Sequence, residues 1–253
     1  NYLDGVTSNI QTQLNSAGGA SNVTGLSDAL VETNSVFIGN DPSSTTNSAE
    51  YNVALGVTAL DAVTLGDNNA AVGYDALGAN TSGSNNTAIG YRSLSSNTTG
   101  SVNTAVGMNA LKSNTTGGYN TASGYEALGK NTTGNLNTAF GYEAGDVITT
   151  GSNNVIFGYG ADPSANNATN QIVIGKGATG QGDNYAVIGN ADVTRVYAAQ
   201  DAGATLYAGG LNIGGTAVTS TAAELNILDG VTATATELNL IDGVTATTAE
   251  INY

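Results

Sequence analysis

The sequence predicts an all-β fold, a parallel β-solenoid (a β-roll) of about nine seventeen-residue turns. Three observations lead there. Gly39, Gly56, Gly73, Gly90, Gly107, Gly124, Gly141, Gly158 and Gly175 recur every seventeen residues without slippage. A period of that length, held that long, marks a coil in which each repeat is one turn. The neighbouring text repeats as well, as N-T-A-V-G at 103–107, N-T-A-S-G at 120–124 and N-T-A-F-G at 137–141. Finally, 35 glycines, two prolines and only 10% charged residues suit short strands joined by tight corners.

Residues 1–33 precede the repeat and read as a helical and connector linker. Leu3, Val6, Ile10 and Leu14 form a helical stripe, Thr7 or Ser8 can cap it, and Gly18-Gly19 ends it. A helix this short is marginal alone in water, so it implies three copies bundled about an axis; the alternative is a frayed terminus.

The roll itself is placed at 34–190. The residue before the marker glycine is apolar in most turns (Ile38, Leu55, Val72, Ile89, Val106, Phe140, Phe157, Ile174), with Ser123 the break. One residue earlier stand Phe37, then Ala54, Ala71, Ala88, Ala105, Ala122 and Ala139, then Ile156 and Val173. Strand side chains alternate faces. One face therefore carries the bulky residues and the other a narrow alanine ladder, which suits close approach either across a thin roll or between neighbouring chains. Leu60, Leu77, Leu94, Leu111 and Leu128 are expected to fill the interior. Tyr74, Tyr91, Tyr125, Tyr142 and Tyr159 follow marker glycines and form a half-exposed ladder. N-T-T-G at 97–100, 114–117 and 131–134 supplies corners, where Asn tolerates left-handed backbone and Gly supplies positive φ. At about 4.8 Å per stacked strand, nine turns span roughly 40 Å. The repeat then decays, with Gly145 and Asp162 in the leucine position, as terminal repeats do.

Residues 191–220 read as a short β connector, with strands broken by glycine turns. Residues 221–253 carry a thirteen-residue repeat, T-A-A-E-L-N-I-L-D-G-V-T-A and then T-A-T-E-L-N-L-I-D-G-V-T-A, with a third copy cut short. Thr221 with Glu224 and Thr234 with Glu237 have capping-box spacing, so each unit reads as a short helical turn and an extended link. Its apolar face is too small for one chain to bury, which implies a symmetric bundle. The first residues, N-Y-L-D-G-V-T, enter this repeat where E-I-N-Y leaves it. The parent polypeptide is thus expected to carry such linkers on both sides of the roll.

Twenty acidic residues face five basic ones, for a net charge of −15. That argues against nucleic acid or an anionic membrane as partner and helps to keep a strand-rich protein soluble. With no Cys and no His, zinc sites and Cys or His nucleophiles are excluded. No run of eighteen apolar residues exists to span a bilayer as a helix.

The N-S-V-F-I-G and N-T-A-V-G turns resemble the head repeats of trimeric autotransporter adhesins. The N-T-A-x-G-Y-x-A-L repeat and the T-A-A-E-L-N-I-L-D-G-V-T linkers are similar to phage tail-fibre and other virion structural proteins. The resemblance implies a left-handed roll, a homotrimer and a virion location. It also implies a role as shaft and spacer of a tail fibre in host attachment, joined to neighbouring fibre segments or virion proteins. A bacterial surface adhesin or extracellular filament is the alternative, and a polysaccharide-degrading spike a third. Neither family contributes catalytic, cofactor-binding or metal-binding residues, and no enzyme activity is expected.

Four features carry chemistry in principle. Asn80, Asn97, Asn114 and Asn131 begin N-x-S/T triplets, which accept glycans or serve only as corners. The Asp67-Asn68-Asn69 run offers oxygen ligands for calcium, but with no recurring ligand spacing. Glu126 and Glu143 fall one repeat apart, the arrangement of a glycosidase carboxylate pair or of a solvated repeat position. The tyrosine ladder offers sugar stacking, through which a host glycan or receptor would be held, or simple surface packing.

Overall fold

A computed structural model describes residues 29–32, 34–39, 48–196, 211–213 and 216–218 of the 253. By contact density the chain divides into two units, Asn1–Val196 and Tyr197–Tyr253.

The first unit is a parallel β-solenoid. β1 (Ala29–Glu32) pairs antiparallel with β2 (Ser35–Ile38), so part of the expected connector joins the sheet and covers the outer edge of β2. The parallel stack continues through β3 (Val53–Leu55), β4 (Ala70–Val72), β5 (Thr87–Ile89), β6 (Thr104–Val106), β7 (Thr121–Ser123) and β8 (Thr138–Phe140). It ends with β9 (Val155–Phe157), β10 (Ile172–Ile174) and β11 (Ala186–Ile188). The eleven strands form one sheet in sequence order. Register advances by one repeat per turn: Ala88 pairs with Ala105, and Ala105 with Ala122. The last step, from Ile172 to Ala186, is shorter.

In the second unit, β12 (Leu211–Ile213) and β13 (Thr216–Val218) pair antiparallel. The predicted helix within residues 1–20, the strands expected at 197–210 and the helical repeats of 221–253 lie outside the described residues.

From β3 to β11 each turn has one three-residue strand; the rest is built from tight turns that also bond across repeats, as Leu94 N–H donates to the Ala110 carbonyl at 3.0 Å. The backbone there alternates in handedness, and Leu60, Leu77, Leu94, Leu111 and Leu128 all take φ of 51–52°. A left-handed leucine is unfavourable locally. It is tolerated here because the conformation turns each leucine fully inward.

The strand faces resolve in favour of the thin interior. Every alanine from Ala54 to Ala139 in the ladder is buried, and so are Ile156 and Val173 in the same column. Ile156 fits because the leucine column switches to Gly145 there. A Cβ on Gly145 would lie 3.6 Å from Ile156 Cγ1 and 3.5 Å from Ile148 Cδ1. The two isoleucines fill the volume the missing leucine vacates, as close packing demands.

Two polar columns run inside. Asn52, Asn69, Asn86, Asn103, Asn120, Asn137 and Asn154, followed by Gln171, are buried immediately before the strands. Asn103 Nδ2 donates to Asn86 Oδ1 (3.2 Å) and to the Gly117 carbonyl (2.9 Å). Its Oδ1 accepts from the backbone N–H (3.0 Å) and Nδ2 (3.1 Å) of Asn120. The second column, Asn80, Asn97, Asn114 and Asn131, links Nδ2 to the preceding Oδ1 at 2.8 Å. It stops where Ile148 takes the next position, leaving Asn131 Oδ1 buried without a partner.

The marker glycines are a backbone necessity. Gly107 has φ of 131°, and a Cβ there would stand 2.5 Å from the Gly124 carbonyl oxygen.

Candidate functional site

With alanine inside, the bulky strand residues point outward. Ile89 (43% exposed), Val106 (38%), Phe140 (37%), Phe157 (43%) and Ile174 (40%) form a row along the roll axis. Ser123 is tolerated in this row because the position lies outside the core. Phe140 and Phe157 stack at 4.8 Å. An apolar row broken only by Ser123, on a chain of net charge −15, is an unusual surface feature.

The tyrosine ladder follows the same direction. Tyr74 and Tyr91 stack at 5.3 Å, Tyr125 and Tyr142 at 4.9 Å, and Tyr142 and Tyr159 at 5.0 Å, with interplanar angles of 11–14°. Met108 interrupts the run. Tyr142, stacked on both sides, therefore turns both faces to its neighbours and presents its edge and hydroxyl to solvent. A sugar has no open face to lie on at that ring. A hydrogen bond to Glu143 raises the Tyr142 hydroxyl above its usual range.

Glu126 and Glu143 occupy equivalent positions in successive turns, both with φ of 53°. Glu126 Oε1 accepts from Lys112 Nζ (3.0 Å) and Asn109 Nδ2 (3.1 Å). The Lys112 hydrogen bond holds this carboxyl below its ordinary range. A glycosidase general acid needs the opposite shift, so Glu126 is set up as a fixed anion.

The other two candidates are absorbed by the fold. Asn80, Asn97, Asn114 and Asn131 are fully buried and donate to the carbonyls of Gly83, Gly100, Gly117 and Gly134. The asparagines that would accept a glycan are not presented at the surface of the folded chain. Asp67 Oδ1 accepts the Glu50 N–H at 2.8 Å, and Asn69 belongs to the interior column. Among the described residues no group of three or more acidic side chains is arranged around one ion position. No helix there is long and apolar enough to cross a membrane.

Asp162 was legible only as a break in the leucine column. Its Oδ1 is buried without a partner, and burial, with Asp146 nearby adding repulsion, pushes its pKa up to about 6. The Val147 N–H and Lys130 favour the anion but do not offset the burial, and Glu143 adds further repulsion. A raised folded pKa contributes stability that is full below the unfolded value of 3.8 and is lost as pH rises through about 6. Asp162→Asn is therefore expected to raise the melting temperature at pH 7.5, by on the order of 1 kcal/mol of stability after allowance for solvent access. At pH 4 it should change little. Thermal melts at the two pH values check this, and equal shifts at both would remove the assignment.

No family model, curated protein or solved structure matches this chain significantly.

Proposed function

We propose that this chain is a structural segment of a homotrimeric fibre, acting as shaft and spacer in a phage tail fibre used for host attachment. The observation that carries the proposal is the outward apolar row from Ile89 through Ile174, a surface of the kind that a partner covers. Copies of the same chain, packed side by side about a common axis, bury that row along the full length of the roll. The number three and the left hand of the coil come from the likeness of the turns to trimeric adhesin heads. The virion setting comes from the thirteen-residue linker repeats. On this reading the function is mechanical: stacked turns give a stiff rod, and the linkers hold the chains in register. The ordered interior columns and the low pKa of Glu126 favour that role over chemistry on a substrate.

Sedimentation of the full chain is expected to give a trimer of 25.1 kDa subunits. Ile89→Asp combined with Val106→Asp should yield a folded monomer, because both side chains lie on the outer face. A stable wild-type monomer, or a double variant that still forms trimers, would overturn the proposal. Virion structural genes beside the coding sequence are expected; secretion genes there would favour the adhesin reading.

A further inference from the structure

In a repeat protein, a site shows itself where neighbouring turns depart together from the common text. Two turns read aromatic–acid–Ala–Leu–Gly, Tyr74-Asp75-Ala76-Leu77-Gly78 and Tyr125-Glu126-Ala127-Leu128-Gly129. The two turns that lie between them do not. One reads Tyr91-Arg92-Ser93-Leu94-Ser95-Ser96, and the next Met108-Asn109-Ala110-Leu111-Lys112-Ser113. The acid has become Arg92 and Asn109, and the glycine position has become Ser95 and Lys112.

These departures meet in space. Tyr91, Arg92, Ser95, Ser96, Asn109, Lys112 and Ser113 line one groove of about 280 Å³. That is near the lower end of the roughly 300–1,000 Å³ typical of small-ligand sites. No carboxylate lines it, although acids outnumber bases twenty to five in the chain. Two of the five cations do. Each is tethered by an acid from a flanking turn: Arg92 Nε to Asp75 Oδ2 at 3.3 Å, and Lys112 Nζ to Glu126 Oε1 at 3.0 Å. Arg92 contributes only Nε to this pair, its side chain is half exposed, and the rest of its fork has no hydrogen bond among the described residues. Exposed ion pairs of this kind are worth about 0–1 kcal/mol, so an incoming anion competes with them readily. Around the cations stand three serine hydroxyls, an amide and a phenol, neutral donors and acceptors of the kind a polyol takes; Ser95 Oγ also reaches the Lys112 carbonyl at 3.5 Å, and Asn109 Nδ2 donates to Glu126 Oε1 at 3.1 Å.

We infer that this groove binds an acidic saccharide, its carboxylate or sulfate held by Arg92 and Lys112 and its hydroxyls by Ser95, Ser96, Asn109 and Ser113. The inference stands on the groove alone and does not require the fibre reading. Tyr91, stacked on Tyr74 through one face, contributes its hydroxyl beside the sugar.

The test uses the full chain with D-glucuronate, D-glucose and inorganic phosphate in saturation-transfer and competition NMR, with sedimentation of the same samples to follow assembly separately. Saturable glucuronate binding is expected, with none for glucose at the same concentration. Arg92→Gln with Lys112→Gln should weaken glucuronate at least about tenfold. Ser113→Trp, which fills the groove and leaves both cations in place, should abolish binding. Lys176→Gln should leave it unchanged. Absence of saturable binding, or binding that survives in both groove variants, overturns the site. Equal affinity for phosphate and glucuronate overturns its assignment to a saccharide.

Discussion

Ala105→Asp is expected to unfold the central turns of the roll. The methyl group of Ala105 is fully buried between Ala88 and Ala122 in the thin interior. A carboxylate there has no partner and no room, at a cost of about 5 kcal/mol or more, which is comparable to the whole stability of a typical domain. Far-UV circular dichroism and limited proteolysis would register the loss, and a wild-type melting curve would show that the alanine column is not the core. A companion variant separates volume from charge. Ala105→Ile alone should be destabilised by overpacking, by roughly 1–3 kcal/mol. Adding Leu94→Gly should recover part of that, because it reproduces the pairing of Gly145 with Ile156. Leu94 also has φ of 51°, a conformation glycine adopts without strain.

The second large effect is expected at Asn103. Asn103→Leu keeps a similar volume but removes a donor and an acceptor from the interior column. The backbone N–H of Asn120 loses its acceptor, and the Gly117 carbonyl keeps only the Asn114 donor. The orphaned N–H costs about 1–3 kcal/mol and each further hydrogen bond lost about 0.5–1.5 kcal/mol, so a total loss of about 3 kcal/mol is expected by denaturant titration. Asn103→Asp should be no better, since a carboxylate cannot donate to Asn86 Oδ1 or to Gly117. Wild-type stability in either variant would mean that the column is a passive filler.

How far the sequence led depends on which residues are considered. The spacing of Gly39 through Gly175 was enough for the coil, because a strict period admits few architectures. The inward leucines followed from their recurrence. The strand faces could not be assigned by hydrophobicity alone, since Val106 is more apolar than Ala105 and yet lies outside. Room decides: opposite an inward leucine, a coil one short strand wide holds a methyl group where a branched side chain does not fit. The column from Asn52 to Asn154 is not marked by hydrophobicity, because asparagine is ordinarily a surface residue. Its seventeen-residue recurrence just before each strand was the available signal. The groove was hidden for another reason. Arg92 and Lys112 are twenty positions apart in sequence, and only the stacking of turns makes them neighbours.

The in-register pairing of the sheet has one more consequence. Each central turn offers the turn above the same donors and acceptors that it takes from the turn below, Asn86 to Asn103 and Asn103 to Asn120. A whole seventeen-residue unit can therefore be inserted or deleted without altering the junctions of that column, and the rod changes length by about 4.8 Å each time. The roll is a ruler graduated in single turns, and its reach is written in the gene as a count.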